Sequence, residues 1–489
     1  MRVLVLALLL AAPAKGAEPP SAAAAVEAAL ARIAALEPQV NAIIDLDPAA
    51  PAQARALDRS RRAPGPLHGL PVLVKGNIAV RGLATTAGSA VLAANVAAAD
   101  APLVARLRAA GAVIVGTTNL SEWANFRSEF SISGWSTLGG QTANPWALAR
   151  NPCGSSSGSG AAVAAGMVTA AIGTETDGSI VCPASVMGIV GMKPTLGLVS
   201  RSGIVPLAES QDTAGPMAAD VPTAARLLAA MAGTDPADPA TAGADRHAAS
   251  LRAPLPEGAL AGARIGVLRF ATTGSEAVGP LFEAALDLLR RQGATLVDIA
   301  DGPDAADIGA NEFLVLKAEF RAGLDRYLAA APPAVAARSL ADVIAANRAH
   351  PEALSLFGQD LLEASLEAPA AGSESHRAAR EAAFRAADGW LAATLARHRL
   401  DALVAPTAPQ AWLIDTVNGD TPPRFPGVST IAAVAGTPHL SVPMGVARGL
   451  PAGLSFLGPR WADARILALG AAFEAARGPL PRPPVSVSP

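Results

Sequence analysis

The strongest constraint on the fold is a change of texture from residue 67 onward. There, short apolar runs alternate with helical material between Gly and Pro punctuation. LPVLV at 70–74 and AVIVG at 112–116 read as buried strands, and PLVARLRAAG at 102–111 as a helix between them. Strand, helix, strand in that order is the pattern of an α/β arrangement. AAVAAGMVTAA at 161–171 is small and apolar enough to pack as a buried helix. ARIGVL at 263–268 begins another strand, residues 276 to about 398 read as helical, and ALVAPTAP (402–409) and LSVPMG (440–445) return to a sheet. Strand-like segments at both ends favour one large domain, 18–476, over two. An amphipathic helix is expected over 21–36 with Ser21 as its cap. Residues 232–262 read as a long surface connection, and the Pro-rich tail 477–489 as loosely attached.

The first residues, MRVLVLALLLAAPAKGA, read as a secretory signal over 1–17: Arg2 is the positive start, Val3 to Ala12 the apolar stretch, and small residues around Ala14 to Ala17 a cleavage site. The expectation is a secreted or periplasmic protein without membrane attachment once the signal is removed, because the stretch is too short to span a bilayer. Of the 489 residues, 51% are hydrophobic and 16% charged, ample apolar material for a large core. A net charge of −3 with no basic run, and an aromatic share of 4%, argue against nucleic acid as a partner. Two cysteines, Cys153 and Cys182, exclude a disulfide framework. They read as two small, partly buried thiols, with a single bridge left open for an oxidising compartment. No CxxC, HExxH or His/Cys cluster is present, so no metal is expected.

Among 38 Lys plus Arg only four are lysine: Lys15, Lys75, Lys193 and Lys317. A chain that uses Arg almost everywhere keeps Lys where the group must be able to lose its proton. Lys75 closes an apolar run and precedes Gly76, where burial would lower its pKa from about 10.4 towards the range of a general base. The competing reading is a lysine whose head reaches the surface. CGSSSGSG at 153–160 is dense in hydroxyls and glycine. A linker is disfavoured by the apolar helix that follows, and a phosphate loop by the missing Gly-Lys-Ser/Thr ending. Gly154 to Gly158 formally matches GxSxG with Ser156 as nucleophile, but NPWALARNP is a poor strand to precede such an elbow. In GTETDGSIVCP at 173–183, Ser179 lies where consecutive N–H groups could converge on an oxyanion. No histidine lies between 69 and 246.

Together these features resemble the amidase signature family. The resemblance runs from about 67 to 218 through PLHGLPVLVKGN, GTTNLSEWA, NPCGSSSGSGAAVAAG, GTETDGSI, GMKPT and QDTAGPM, and resumes from about 400 to 475 through DALVAPTAP, AGTPHLSVPMG and GLPAGLSFLG. It implies a large mixed β-sheet covered by helices on both faces and a Ser-cis-Ser-Lys triad: Lys75 as base, Ser155 as the bridging serine in a cis peptide, and Ser179 as nucleophile. The backbone N–H groups of Thr176, Asp177, Gly178 and Ser179 would face the oxyanion. Cys153 stands where Gly is frequent, and TETDGS replaces the more usual TDxGGS. Both departures, with NLSEWANFRSE and SISGW, match the branch typified by bacterial peptide amidases. That branch removes ammonia from C-terminally amidated peptides, without metal or organic cofactor. Three further readings stay open: hydrolysis of small aliphatic or aromatic amides, a periplasmic solute-binding protein without catalysis, and an ammonia-supplying member of a larger aminoacyl-tRNA complex. Trp123, Trp135 and Trp146, with Phe126 and Phe130, could line a cleft or pack the core.

Overall fold

The computed structural model describes residues 21–487 except 62, 273, 274, 424 and 426, so the expected signal segment lies outside the described residues. Its strands in chain order are β1 (Ile43–Leu46), β2 (Pro71–Lys75), β3 (Val113–Thr118), β4 (Trp135–Ser136), β5 (Gly140–Gln141), β6 (Ala170–Glu175), β7 (Val190–Lys193), β8 (Thr213–Ala218), β9 (Arg264–Leu268), β10 (Thr295–Ile299), β11 (Ala402–Pro406), β12 (His439–Ala447) and β13 (Leu450–Leu457). All but the β4–β5 pair join one eleven-stranded sheet in the order β1-β3-β2-β6-β8-β7-β12-β13-β11-β9-β10. β3, β2 and β6 run parallel, as do β11, β9 and β10, and the strands between these groups pair antiparallel.

Alternate side chains of each central strand leave on opposite faces. Val72, Val74, Ile114 and Ile172 enter one core with helices Pro102–Ala109, Val221–Met231, Val278–Arg291 and Asp463–Arg477. Leu73, Val113, Val115 and Ala171 enter the other with helices Ala22–Val40, Ser157–Ala164 and Val181–Met187. The sheet is therefore mixed and covered on both faces. A further apolar cluster joins Trp123 and Phe126 to the helices Ala305–Ala329, Leu340–Ala349 and Asp360–Glu367, which form a lobe beside the sheet. Among the described residues no helix is long and apolar enough to cross a membrane.

Three expectations change. The run 161–171 holds the end of a helix and the start of β6, because an all-small, all-apolar stretch has no periodicity to mark the boundary. The segment 232–262 contains the helix Ala244–Leu251, whose Ala248 and Leu251 reach the core. The Pro-rich tail is docked: Val485 and Val487 pack on the second core, and their N–H groups donate to the carbonyls of Pro145 and Ala165.

Candidate active site

Lys75 ends β2 and Thr174 lies one residue from the end of β6, and the two strands are parallel neighbours. Their carboxyl ends therefore present side chains to the same crevice, the usual location of ligand sites in open α/β sheets. Lys75 is completely buried. Its Nζ lies 2.7 Å from Ser155 Oγ, 2.8 Å from Thr174 Oγ1 and 3.2 Å from the Thr174 carbonyl. Burial pushes its pKa down to about 7, against the opposing pull of the Asp212 and Glu175 carboxylates. A neutral amine has two N–H bonds and one lone pair. The two Thr174 oxygens can accept the former, and the Ser155 hydroxyl can meet the latter. Asn77 Nδ2 donates to the same Thr174 hydroxyl at 3.0 Å, fixing it in place.

Ser155 follows a cis Gly154–Ser155 peptide bond. Its carbonyl accepts from Ser121 N–H at 3.1 Å, and Gly154 is pressed so closely on Ser121 that a Cβ would come within 2.2 Å of that hydroxyl. Ser156 is also fully buried, but its hydroxyl is occupied by the backbone of Thr174, at 3.0 Å from the carbonyl and 3.2 Å from the nitrogen. It is preceded by isolated bridges rather than a strand, so the GxSxG elbow is not formed.

Ser179 is held beside this pair by backbone: Ser156 N–H donates to the Ser179 carbonyl at 3.1 Å. Gly178 supplies the left-handed turn before it, with φ of 75°. Among the described residues, the N–H groups of Thr176, Asp177, Gly178 and Ser179 donate to no protein acceptor. Adjacent groups are tied down: Ile180 and Val181 N–H donate to Glu175 Oε2 at 2.6 and 3.0 Å, and Thr176 Oγ1 donates to Asp212 Oδ1 at 2.6 Å. A loop with anchored flanks and unused amides is suited to receive an oxyanion. Ser179, Asp177, Thr176 and Gly154 line a cavity of about 480 Å³ whose other wall includes Phe126, Leu207, Phe313 and Leu316. A separate cavity of about 610 Å³, lined in part by Gln211 and Glu312, includes neither Ser155 nor Ser179.

The two cysteines form a disulfide, contrary to the expectation of free thiols. Spatial proximity through the fold decides this, because a sequence separation of 29 carries no signal of pairing. The bridge joins the segment just before Ser155 to the helix just after Ser179. Other contributors carry little sequence signal. Asp212, raised by burial to about 6, also accepts from Leu207 and Ala208 N–H, and Lys193 is a second buried lysine lowered by burial to about 8. Lys193 could have been found by the same scarcity argument as Lys75. Of the aromatic group, Phe126 lines the cavity, Trp123 packs edge-on to Phe320, and Trp146 donates to the Met187 carbonyl. Among the described residues no three His, Cys, Asp or Glu side chains are grouped to hold a metal ion.

The amidase family model matches residues 24–467. The crystal structure of native peptide amidase from Stenotrophomonas maltophilia superposes with a TM-score of 0.89 at 46% identity, covering 95% of each chain. A probable amidase of Arabidopsis thaliana is 37% identical over 92% of this chain and 86% of its own. A component of the glutamyl-tRNA(Gln) amidotransferase of Symbiobacterium thermophilum is 37% identical over 93% of both. The chain belongs to the amidase family, enzymes that hydrolyse amide C–N bonds.

Proposed function

We propose that the chain deamidates C-terminal amides of peptides through Lys75, Ser155 and Ser179. The contact between a buried lysine titrating near 7 and the Ser155 hydroxyl carries this reading. Neutral Lys75 accepts the Ser155 proton while Ser155 takes that of Ser179, and Ser179 Oγ bonds to the carboxamide carbon. The 176–179 amides receive the developing negative oxygen. The Lys75 ammonium returns its proton through Ser155 to the substrate nitrogen, the C–N bond breaks, and ammonia leaves an acyl-enzyme. Water adds by the same proton route, and its products are the carboxylic acid and free Ser179. Support for peptides comes from the 46% identity to a peptide amidase and from the apolar wall of the cavity.

Ammonia release from peptide amides, compared with small aliphatic and aromatic amides, tests the substrate class. A clear kcat/KM advantage for peptide amides is expected, and equal or better turnover of small amides would replace that class with the general one. Ser179→Ala should abolish release, whereas near-normal release by that variant would reject the triad. We also propose an oxidising compartment, secreted or periplasmic, as the site of action. The Cys153–Cys182 bridge supports it, since structural disulfides are rare where thiols are kept reduced.

A further inference from the structure

Asp177 contributes a side chain where the commoner pattern of this loop has glycine, and nothing in the proton relay uses it. Its Oδ2 accepts from Thr430 Oγ1 at 2.5 Å, which sets the orientation of the carboxylate. Its Oδ1 is buried without a well-formed hydrogen bond of its own, and the Ser429 hydroxyl is the other side-chain donor beside the carboxylate. Asp177 lines the same cavity as Ser179. So does Asn125, whose Nδ2 donates to Ser133 Oγ at 2.9 Å while its Oδ1 is likewise buried without a partner. Two residues that line one cavity beside the nucleophile therefore each keep a buried acceptor oxygen short of a donor. A buried acceptor left unpaired is costly, so an arrangement of this kind is completed by a ligand donor. The Lys193 ammonium acts on Asp177 from outside the cavity, but the cavity wall itself is acidic. The cavity lining contains Glu129, Asp177 and Asp420 and no Lys or Arg. Glu312, which feels the charge of Asp177, takes its hydrogen bond from the neutral Gln211 at 2.7 Å.

We propose that Asp177 is a specificity-determining residue that accepts a hydrogen bond from the N–H-bearing nitrogen on the carbon next to the scissile carboxamide. This rests on the peptide-amide reading and deepens it. The donor is either the peptide N–H of an acylated residue or the α-ammonium of a free amino acid amide. Both present the same N–H chemistry one carbon from the carbonyl, and a simple aliphatic amide presents none. The apolar wall of Phe126, Leu207, Phe313 and Leu316 is available to the side chain on that carbon.

The test uses three amides of matched branching: N-acetyl-leucinamide, leucinamide and 4-methylpentanamide. The wild-type enzyme should favour one or both nitrogen-bearing compounds over 4-methylpentanamide by roughly 10- to 100-fold in kcat/KM, the range for leaving a buried hydrogen-bonding group unmatched. The preferred compound then identifies the donor. In Asp177→Ser and Asp177→Asn that ratio should fall towards one. Each variant is its own control, because general damage to the loop lowers all three rates together and keeps the ratio. Where a variant turns over too slowly, the ratio of dissociation constants is read by calorimetry on the Ser179→Ala background. An unchanged ratio in both variants would overturn the assignment, as would a wild-type enzyme that turns over all three amides equally. Failure of the wild-type enzyme to release ammonia from any amide would instead reject the proposed function.

Discussion

At Lys75, the base of the proposed mechanism, two opposing influences set the protonation state. Removal from water disfavours the ammonium, while Asp212 and Glu175 favour it. The proposed mechanism needs this base neutral, so it predicts that kcat/KM falls about tenfold per pH unit below about 7 and levels off above it, as a pH–rate profile would read. Asp212→Asn removes a charge that supports the ammonium, and the limb should move to lower pH. Lys75→Arg cannot lose its proton and should cost roughly 100-fold or more in kcat, measured by ammonia release. At this scale Lys75 was legible because lysine is so scarce here that a retained one stands out. The order Ser155 then Ser179 came from the family resemblance. Asp212 and Asn125 were not legible, since their roles are hydrogen bonds across loops that local sequence does not encode.

The loop after β6 is shaped by Glu175, which reaches forward to the N–H groups of Ile180 and Val181. Burial raises its pKa and Lys193 opposes that rise, so the carboxylate relies on a second buried lysine. Glu175→Ala would leave two buried donors unmatched. The expected cost is about 1–3 kcal/mol in urea unfolding, with kcat falling more than KM rises. The disulfide clamps the same region, and Cys153→Ala with Cys182→Ala should lower stability by about 3 kcal/mol by the same measurement. The expected strands at 70–74, 112–116, 263–268, 402–409 and 440–445 correspond to β2, β3, β9, β11 and β12. β10 escaped notice within material read as helical. It is an edge strand with only Ile299 buried, so it lacks the apolar run of its neighbours.

Across the whole molecule, β7 is the sixth of eleven strands, and one of its two neighbours is β12. His439 pairs with Lys193 and Ser441 with Gly191, so the middle of the sheet is a seam between the first and last parts of the chain. Through that seam, strands from both ends of the chain share one sheet. The seam also has a temporal meaning. During synthesis the early strands can pair with one another, yet β7 remains an unprotected edge, all of it buried in the finished protein, until the distant β12 emerges. A fragment of residues 21–254 should therefore associate with itself in light scattering, and adding residues 255–487 should suppress this and restore ammonia release. Val485 and Val487, far along the chain, pack against the second core as well. Completion of the sheet therefore waits for a strand far along the chain, and a chain halted before β12 carries an adhesive edge instead of a half-built catalyst.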